Sequence, residues 1–365
     1  MNVMAAKRQA PKRRIVFISS ARSVWGAEQS MFMLARALKD RGFTVDLVCF
    51  PGTIETQWQQ QVGRSALLAD GSAPPTESKL KENFILWRSY RRNAAEFDRV
   101  VLFTYYLLVG LPLTRLLLGR NRARFVLDLH DNLPGKRGLQ LLRLFARSVH
   151  SVVACSSFTA NQVAGLAPAV HVIHGPAEAL SAVEQPSPFK RIGILGRIVK
   201  EKHHLLLAEA IAGLNDESVM IVRGSGDGSV NDNSDEVRAY GQAELGNRFI
   251  DEGKVAPERV LDNLDVVVVA NHREPMGRTV LEAQLSGVLV VVPDQGGSSE
   301  LVKDQETGRV YRAGDSNHLR EVLASIDPAS DSASELRARA LQQAQDTVTP
   351  QSYAEHYLSA LGAAL

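Results

Sequence analysis

The sequence predicts an α/β protein built from two doubly wound parallel sheets. Its 365 residues exceed the size at which a single hydrophobic core usually stops growing, so two domains are expected. Short β-branched runs alternate with segments of helical periodicity, which is typical of parallel sheets covered by helices on both faces. Between two such series lies a stretch without periodicity that contains two prolines, EALSAVEQPSPFK, and it indicates a linker.

The first series predicts a Rossmann-like domain over residues 1–185, of which residues 1–13 form a basic flexible arm. Its strands are RIVFIS, FTVDLVCF, DRVVLFT, ARFVLDL, SVVACSS and AVHVIHG. The most apolar segment, YYLLVGLPLTRLLLG, is interrupted by Pro112 and Arg115. Because it is shorter than the roughly 20 residues that span a bilayer, we expect either a buried helix or an interfacial one.

The second series predicts another Rossmann-like domain over residues 186–348. Its strands include RIGILGRI, SVMIVRG, DVVVVA and VLVVVPD, with helices from HHLLLAEAIAGL and GRTVLEAQLSG. The final residues, 349–365, read as a helix that we expect to pack back on the first domain.

Charge is distributed unevenly along the chain. Residues 1–185 carry 24 basic and 13 acidic side chains, a net +11, whereas the remainder carries 18 and 27, a net −9. A basic half favours anionic partners such as phospholipid head groups, a lipid diphosphate or nucleic acid. The alternative is an ordinary solvated surface on an arginine-rich chain.

Cysteine usage and the N-terminal segment both favour a reducing compartment. Cys49 and Cys155 form neither a disulfide framework nor a metal-site pattern. The start of the chain is basic, but its apolar run is too short for a signal-peptide core. We therefore expect a cytoplasmic protein. Peripheral contact with the inner face of the cell membrane is a second, separate expectation.

A strand, a turn and a helix make up the stretch DVVVVANHREPMGRTVLEAQLSG. The first backbone amides of the helix lie near Met276, Gly277 and Arg278, where unpaired donors suit a phosphate. Glu282, about one turn into the helix, can accept from two neighbouring hydroxyls of a ribose, and Glu274 from a second polyol. The spacing therefore fits a nucleotide sugar. The alternative is that neither residue binds a ligand, with Glu282 a solvated residue of the helix and Glu274 a charge in the loop.

A second element, GILGRIVKEKHH, places two cations in the loop after a strand. Arg197 and Lys202 would neutralise a diphosphate and stabilise the charge that develops as it leaves. The alternative is a pair of ordinary surface basic residues.

These elements resemble the retaining, GT-B-fold glycosyltransferases of family four, also called glycosyltransferases group 1. GRIVKEKHH is similar to that family's Gly-Arg…Lys element. REPMGRTVLEAQLSGVLVVVPDQGGSSELV resembles its E-x7-E signature and the following Gly-Gly-x-x-Glu element, here Gly296, Gly297 and Glu300. WGAEQSMFMLARALKDRGFTV is similar to the glycine loop and helix of the N-terminal domain.

The resemblance implies a GT-B protein whose N-terminal, acceptor-side domain faces a C-terminal, nucleotide-sugar-binding domain across a cleft. It implies a retaining, metal-independent hexosyltransferase that needs no cofactor. The donor would be a nucleotide-diphosphate sugar, with a UDP-sugar favoured and a GDP-sugar next. The acceptor would be a saccharide or lipid-linked saccharide in cell-envelope or exopolysaccharide synthesis, and no nucleic acid is involved.

The resemblance also implies a role for each matching residue of the second domain. Arg197 and Lys202 would hold the diphosphate, Glu282 the ribose and Glu274 the hydroxyls of the donor sugar. The backbone amides from Met276 to Arg278 would cap the phosphates and the sugar.

Two residues of the first domain complete the implied site. Gly26 would let the glycine loop approach the donor. His130, in DLHD, matches the family's histidine near the reacting centre, where a neutral imidazole would accept a hydrogen bond from the donor sugar. Double displacement would need a carboxylate about 5 Å from its acid partner, but the usual proposal for this family is front-face attack, so no nucleophile is assigned.

Two other classes of protein compete with this interpretation, and two more are disfavoured. A sugar-nucleotide 2-epimerase shares the two-domain architecture, and a non-catalytic sugar-nucleotide-binding subunit would share the donor site. The glycines of RGSGDGS follow GxGxG rather than GxGxxG, which argues against a dinucleotide fingerprint. The basic residues are dispersed and accompany no recognised nucleic-acid-binding module.

Overall fold

The computed structural model describes residues 14–64, 66–69, 79–119, 123–132, 135–180 and 190–362. The predicted arm at 1–13 and most of the predicted linker, 181–189, lie outside these ranges, and so does the predicted boundary at 185. The chain divides into two compact units. The first unit comprises Met1–Cys155, Thr159–Ile173 and Tyr353–Leu365, and the second comprises Ser156–Phe158 and His174–Ser352.

The first unit contains a seven-stranded parallel sheet in the order β3-β2-β1-β4-β5-β6-β7. This order contains the Rossmann sequence 3-2-1-4-5-6 of a doubly wound sheet. The strands are β1 (Arg14–Ile18), β2 (Thr44–Cys49), β3 (Leu67–Leu68), β4 (Arg99–Leu102), β5 (Arg124–Leu129), β6 (Ser151–Ala154) and β7 (Val170–Val172). The helices are α1 (Gly26–Asp40), α2 (Thr53–Val62), α3 (Lys79–Arg92), α4 (Leu111–Leu118), α5 (Gly135–Phe145) and α6 (Ser157–Asn161), whose first two residues belong to the second unit.

Strand β1 shows why this sheet is covered on both faces. All four of its last residues are apolar and fully buried. Ile15 and Phe17 enter one hydrophobic core, and Val16 and Ile18 enter the other. Successive side chains of a strand point to opposite faces, so a continuous apolar run requires helices on both sides.

The last helix of the chain, α12 (Pro350–Ala360), enters the first of these two cores. Tyr353, Ala354, Tyr357 and Leu358 pack there together with Phe17. Burial of two tyrosine rings and a leucine ties the C-terminal segment to the first unit, because each large apolar side chain contributes about 1.5–3 kcal/mol when removed from water.

The second unit contains a six-stranded sheet, also entirely parallel, in the order β10-β9-β8-β11-β12-β13. Its strands are β8 (Arg191–Leu195), β9 (Val219–Arg223), β10 (Phe249–Gly253), β11 (Val266–Val268), β12 (Leu289–Pro293) and β13 (Arg309–Tyr311). Its helices are α7 (His204–Ala212), α8 (Ser234–Leu245), α9 (Arg278–Leu285), α10 (Ser316–Ala324) and α11 (Asp331–Thr347).

The apolar segment after β4 is buried in its first part and largely exposed in its second. Tyr105–Gly110 forms a 3₁₀ helix in which Tyr105, Leu107 and Leu108 are buried. Helix α4 follows, and most of its leucines are exposed. Across the described ranges, no helix has both the length and the apolar composition needed to cross a bilayer.

Candidate donor site at the strand ends of the second sheet

A small pocket lies where β8 and β11 end and α9 begins. We call it the strand-end pocket; it is lined by Ile194, Leu195, Lys202, Val268, Val269, Ala270, Asn271, Glu274, Gly277 and Thr279. The carboxyl ends of neighbouring parallel strands meet at one edge of a sheet, which is where open α/β sheets bind ligands. Three of the predicted site residues, Lys202, Glu274 and Gly277, are therefore brought together in one pocket.

An ion pair between Lys202 and Glu274 provides the charge of this pocket. Lys202 Nζ donates to Glu274 Oε2 over 2.7 Å, and the Asn271 side-chain amide donates to the same oxygen over 2.8 Å. The two charged side chains are 28% and 17% exposed. Because neither is fully desolvated, a ligand can replace each partner without leaving an uncompensated buried charge.

Arg197 lies in the same loop as Lys202 but is not among the pocket residues. Its guanidinium pairs with the Asp227 carboxylate over 2.8 Å and is half exposed. Gly196, which precedes it, has a φ of 110°, and a Cβ on Gly224 would lie 1.7 Å from the Gly196 carbonyl oxygen. The glycines thus allow the loop after β9 to pack directly against the Arg197 loop.

Helix α9 directs its N-terminus at the pocket. Gly277, its N-terminal cap, has a φ of 100°, a conformation that glycine adopts without strain. Neither the Met276 amide nor the Gly277 amide donates to any described residue. Free amides and the positive end of a helix together favour an anion.

Glu282 lies one turn into α9 and pairs with Arg278. The Arg278 Nε donates to Glu282 Oε1 over 2.6 Å, and both side chains are less than one-fifth exposed. The sequence assigned only the backbone amide of Arg278 to the site; the structure adds its side chain as the partner that holds the Glu282 carboxylate.

The Gly-Gly loop packs against the turn that carries Glu274. The Gly297 amide donates to the Glu274 carbonyl over 2.7 Å. A Cβ on Gly297 would lie 2.1 Å from the Pro275 carbonyl oxygen, and Gly296 has a φ of 86°. Both positions therefore require glycine, and together they fix the backbone of the turn.

The Glu300 carboxylate accepts hydrogen bonds from other parts of the chain. Its two carboxylate oxygens accept from the amides of Ser157 and Phe158 over 2.8 and 2.7 Å. His174 Nε2 lies 3.3 Å from one of the same oxygens. This carboxylate holds the segment Ser156–Phe158 in the second unit rather than lining the strand-end pocket.

The two predicted site residues of the first unit lie near the strand ends of its own sheet. Gly26 begins α1, after an exposed Trp25 whose amide donates to Glu28 Oε2 over 2.9 Å. His130 directly follows β5, and its ring stacks on Phe103 with centroids 5.4 Å apart.

A buried carboxylate accompanies His130. The His130 Nε2 lies 2.8 Å from Asp128 Oδ1, and the Tyr357 hydroxyl donates to Asp128 Oδ2 over 2.5 Å. Burial lowers the pKa of His130, but the Asp128 carboxylate, followed by Asp131 and Glu28, outweighs it, so the pKa is raised above its ordinary value. The raised pKa extends the protonated form of this imidazole to higher pH than in an ordinary histidine, and the neutral, accepting imidazole that the resemblance implies stays a prediction.

Sequence reasoning missed two partners of the site residues, Asn271 and Asp227. Asn271 is a polar residue directly after the apolar strand β11, at the edge where the predicted site lies, and this position was the available signal. Asp227 lies in the glycine-rich loop after β9, and nothing in its local sequence indicated that it would meet Arg197.

No cluster of three or more histidine, cysteine, aspartate or glutamate side chains suited to a metal ion occurs among the residues that the structure describes. The sequence expectation of a reaction without metal stays a prediction.

Two family models match consecutive parts of the chain. Residues 24–179 match the model described as Glycosyltransferase Family 4, and residues 189–326 match the model described as Glycosyl transferases group 1. Comparison with curated proteins gave no significant match.

Solved structures of similar fold cover nearly the whole chain. They include Anabaena HepE in complex with UDP-glucose, at 20% identity over 96% of this chain and 99% of that one, with a TM-score of 0.79. Sucrose-phosphate synthase from Thermosynechococcus elongatus is 17% identical over 95% and 97%, with a TM-score of 0.78. The lipopolysaccharide outer core galactosyltransferase WaaB is 14% identical over 96% and 99%, with a TM-score of 0.73. The chain therefore has the GT-B fold, and with the family matches this fold supports a glycosyltransferase.

Proposed function

We propose that this GT-B glycosyltransferase is a retaining, metal-independent enzyme that moves a sugar from a nucleotide-diphosphate donor to a saccharide or lipid-linked saccharide acceptor. A UDP-sugar is the favoured donor and a GDP-sugar the next. The observation that carries the proposal is the Lys202–Glu274 ion pair in a pocket next to the free amides of α9. A cation, an anion and unpaired amides at one strand edge fit a ligand that contains both phosphates and hydroxyls.

The donor diphosphate would be bound by three kinds of hydrogen-bond donor: an ammonium, a guanidinium and backbone amides. The Lys202 ammonium would exchange Glu274 for a phosphate oxygen, and the Arg197 guanidinium would exchange Asp227. The amides of Met276 and Gly277 would donate to the remaining oxygens. Since charge accumulates on the diphosphate as the glycosidic bond breaks, these contacts strengthen toward the transition state and accelerate departure of the leaving group.

The two glutamates would bind the ends of the donor. Released from Lys202, Glu274 would accept hydrogen bonds from hydroxyls of the transferred sugar while Asn271 continues to orient its carboxylate. Glu282, held by Arg278, would accept from the ribose hydroxyls. Neither role requires a glutamate nucleophile, so we propose front-face attack with retention, in which the departing phosphate takes the proton of the acceptor.

The family matches and the UDP-glucose bound to HepE support the choice of a UDP-sugar. The similarity to WaaB, a lipopolysaccharide outer core galactosyltransferase, supports a saccharide acceptor in an envelope glycan. The roles that the resemblance implies for Gly26 and His130 of the first unit stay predictions.

Thermal stabilisation by a panel of donors tests the donor site. The protein would be heated with UDP-, GDP-, ADP- and dTDP-sugars in the presence of EDTA, with NAD(H) as the negative control. We expect one sugar nucleotide, a UDP-sugar first, to raise the unfolding temperature, because a ligand that binds only the folded state stabilises it. Glu282→Ala should abolish the shift, whereas Glu321→Ala, at an exposed position of α10, should preserve it.

Two outcomes would contradict the proposal. If no sugar nucleotide shifts the unfolding temperature, the strand-end pocket is not a donor site. If the donor binds but incubation without any acceptor yields its isomer, the protein is an epimerase. The anomeric configuration of a transferred sugar, read by NMR, tests retention separately.

A further inference from the structure

A groove on the first unit lies between two helices, and none of the residues assigned to the donor lines it. We call it the α3–α4 groove; its principal lining residues are Phe84, Trp87, Arg88, Arg91, Leu113 and Leu117. Trp87 forms part of its floor and donates from Nε1 to the Leu107 carbonyl over 3.1 Å. A Cβ on Gly110 would lie 2.3 Å from the Trp87 ring, so this glycine allows the two helices to meet.

The sides of the groove expose large apolar side chains. Phe84 is 64% exposed, Leu113 56% and Leu117 52%. Leu80 and Leu116 are exposed on the same two helices, so α3 and α4 carry five of the eleven exposed large apolar side chains of the described residues. Single exposed leucines are ordinary on a protein surface, but a contiguous group marks an interaction site.

Cations accompany these apolar groups. Phe84, Arg88 and Arg91 follow one another at helical spacings of four and three residues and therefore share a face of α3. Arg88 and Arg91 are exposed, and neither forms an ion pair with a described residue. The acid nearest them on the helix, Glu82, is buried and pairs with Arg22 over 3.0 Å, so it does not neutralise them.

We propose that the α3–α4 groove docks the first unit on the surface of an anionic phospholipid bilayer. The exposed leucines and Phe84 would enter the boundary between head groups and acyl chains, and Arg88 and Arg91 would contact lipid phosphates. Unpaired arginines beside an apolar surface match a surface that presents negative charge above hydrocarbon. The proposal does not depend on the donor site, since every residue that carries it lies in the first unit.

Vesicle sedimentation with the full chain tests this surface. Vesicles of phosphatidylcholine mixed with phosphatidylglycerol would be compared with vesicles of phosphatidylcholine alone, at low and high salt. We expect at least tenfold stronger partitioning onto the anionic vesicles. Because each basic residue at such a surface contributes roughly a fivefold effect, Arg88→Gln combined with Arg91→Gln should weaken binding about 30-fold at low salt, and the difference should shrink at high salt.

The apolar part of the surface has its own variant and controls. Leu113→Ser combined with Leu117→Ser should reduce partitioning at least tenfold at both salt concentrations. Matched controls in the second unit are Val230→Ser with Ile250→Ser for the leucines, and Lys254→Gln with Lys303→Gln for the arginines; all four positions are exposed. These controls should bind as the parent does, and an unchanged unfolding temperature confirms that each variant is folded.

A second measurement reports insertion directly. Leu116→Trp adds a fourth tryptophan at a position that is 76% exposed, and brominated phosphatidylglycerol should quench a larger part of the fluorescence than in the parent, whereas the fluorescence that Val230→Trp adds to that of the parent should not be quenched. Three results would overturn the proposal: parental binding by both groove variants, loss of binding only when residues 1–13 are removed, or self-association of the parent without vesicles that the leucine variant abolishes. The last result would assign the groove to a second copy of the chain.

Discussion

Charged side chains follow the strands of both sheets, but the two units expose them to different degrees. In the second unit, Lys202 and Glu274 form a pair that water still reaches, with 28% and 17% of their side chains exposed. In the first unit, Asp128 and His130 form a pair whose carboxylate is fully buried and held by Tyr357. A partly exposed pair is weak enough for a ligand to exchange, whereas a buried pair is a fixed part of the fold, because separating it leaves a charge without solvent.

His130 and His204 show a related contrast in pKa. His130 lies beside a carboxylate that raises its pKa despite burial. His204, at the start of α7, is fully buried without a hydrogen-bond partner for either ring nitrogen among the described residues, and burial, with Lys202 and His203 adding to it, lowers its pKa to about 4. Burial keeps a histidine neutral unless an acid is buried with it.

The largest effect is expected at the exchangeable pair. Lys202→Ala should lower kcat by 10²–10³, about 2.7–4 kcal/mol of transition-state stabilisation, because a cation at the leaving diphosphate is lost. Stability should change by less than about 1 kcal/mol, the usual contribution of a partly exposed pair. Steady-state kinetics at saturating donor and urea unfolding measure the two quantities.

Lys254→Ala, at an exposed position of the second unit, is the matched control and should leave both quantities unchanged. Near-normal turnover of Lys202→Ala would show that Lys202 does not bind the donor diphosphate. The Lys202–Glu274 pair would then not differ from the Asp128–His130 pair in being exchanged by a ligand.

A smaller effect is expected from His204. Its pKa is lower in the folded state than the ordinary value of about 6.5, so the unfolded chain binds the proton first and stability falls as the pH decreases. The loss should begin near pH 6.5, be complete below about pH 4, and amount to about 3 kcal/mol. Urea unfolding at pH 7.0, 5.5 and 4.5 should show this slope in the parent and a shallower one in His204→Leu.

His356→Leu, at an exposed position of α12, should leave the acid slope of the parent unchanged. An equal slope in His204→Leu and the parent would show that His204 does not stay neutral in the folded protein.

The smallest effect is expected from the fixed pair of the first unit. Tyr357→Phe removes a hydrogen bond to a buried carboxylate, which should cost about 1.5 kcal/mol. The raised pKa of His130 stabilises the folded state fully below pH 6.5, and this contribution disappears as the pH rises through the folded-state pKa. Once His130 has lost its proton, the Tyr357 hydroxyl is the main group that stabilises the Asp128 carboxylate. The variant should therefore lose more stability at pH 9 than at pH 6.

Tyr353→Phe is the control for this variant, since Tyr353 is a buried neighbour whose hydroxyl makes no hydrogen bond with a described residue. Urea unfolding at the two pH values makes the comparison. A pH-independent loss in Tyr357→Phe would show that Asp128 and His130 do not act as a coupled pair.

Much of the site was predictable because it depends on local spacing. The positions of Glu274, Gly277 and Glu282 are fixed by one strand, one turn and one helix, so the sequence alone placed a carboxylate and free amides at a strand edge. The glycines of the Gly-Gly loop were predicted from their motif, and the structure supplies the reason: a Cβ on Gly297 would collide with the Pro275 carbonyl.

The sequence by itself determined the alternation of strands and helices, hence two doubly wound sheets, because hydrophobic periodicity depends on residues a few positions apart. Only the tertiary structure decided which polar side chains pair: Lys202 with Glu274 across 72 positions, and Tyr357 with Asp128 across 229. It also decided that Leu113, Leu116 and Leu117 of α4 remain exposed rather than buried. A run of apolar residues shows which side chains can be buried. Whether a neighbouring element covers those side chains depends on parts of the chain that are distant in sequence.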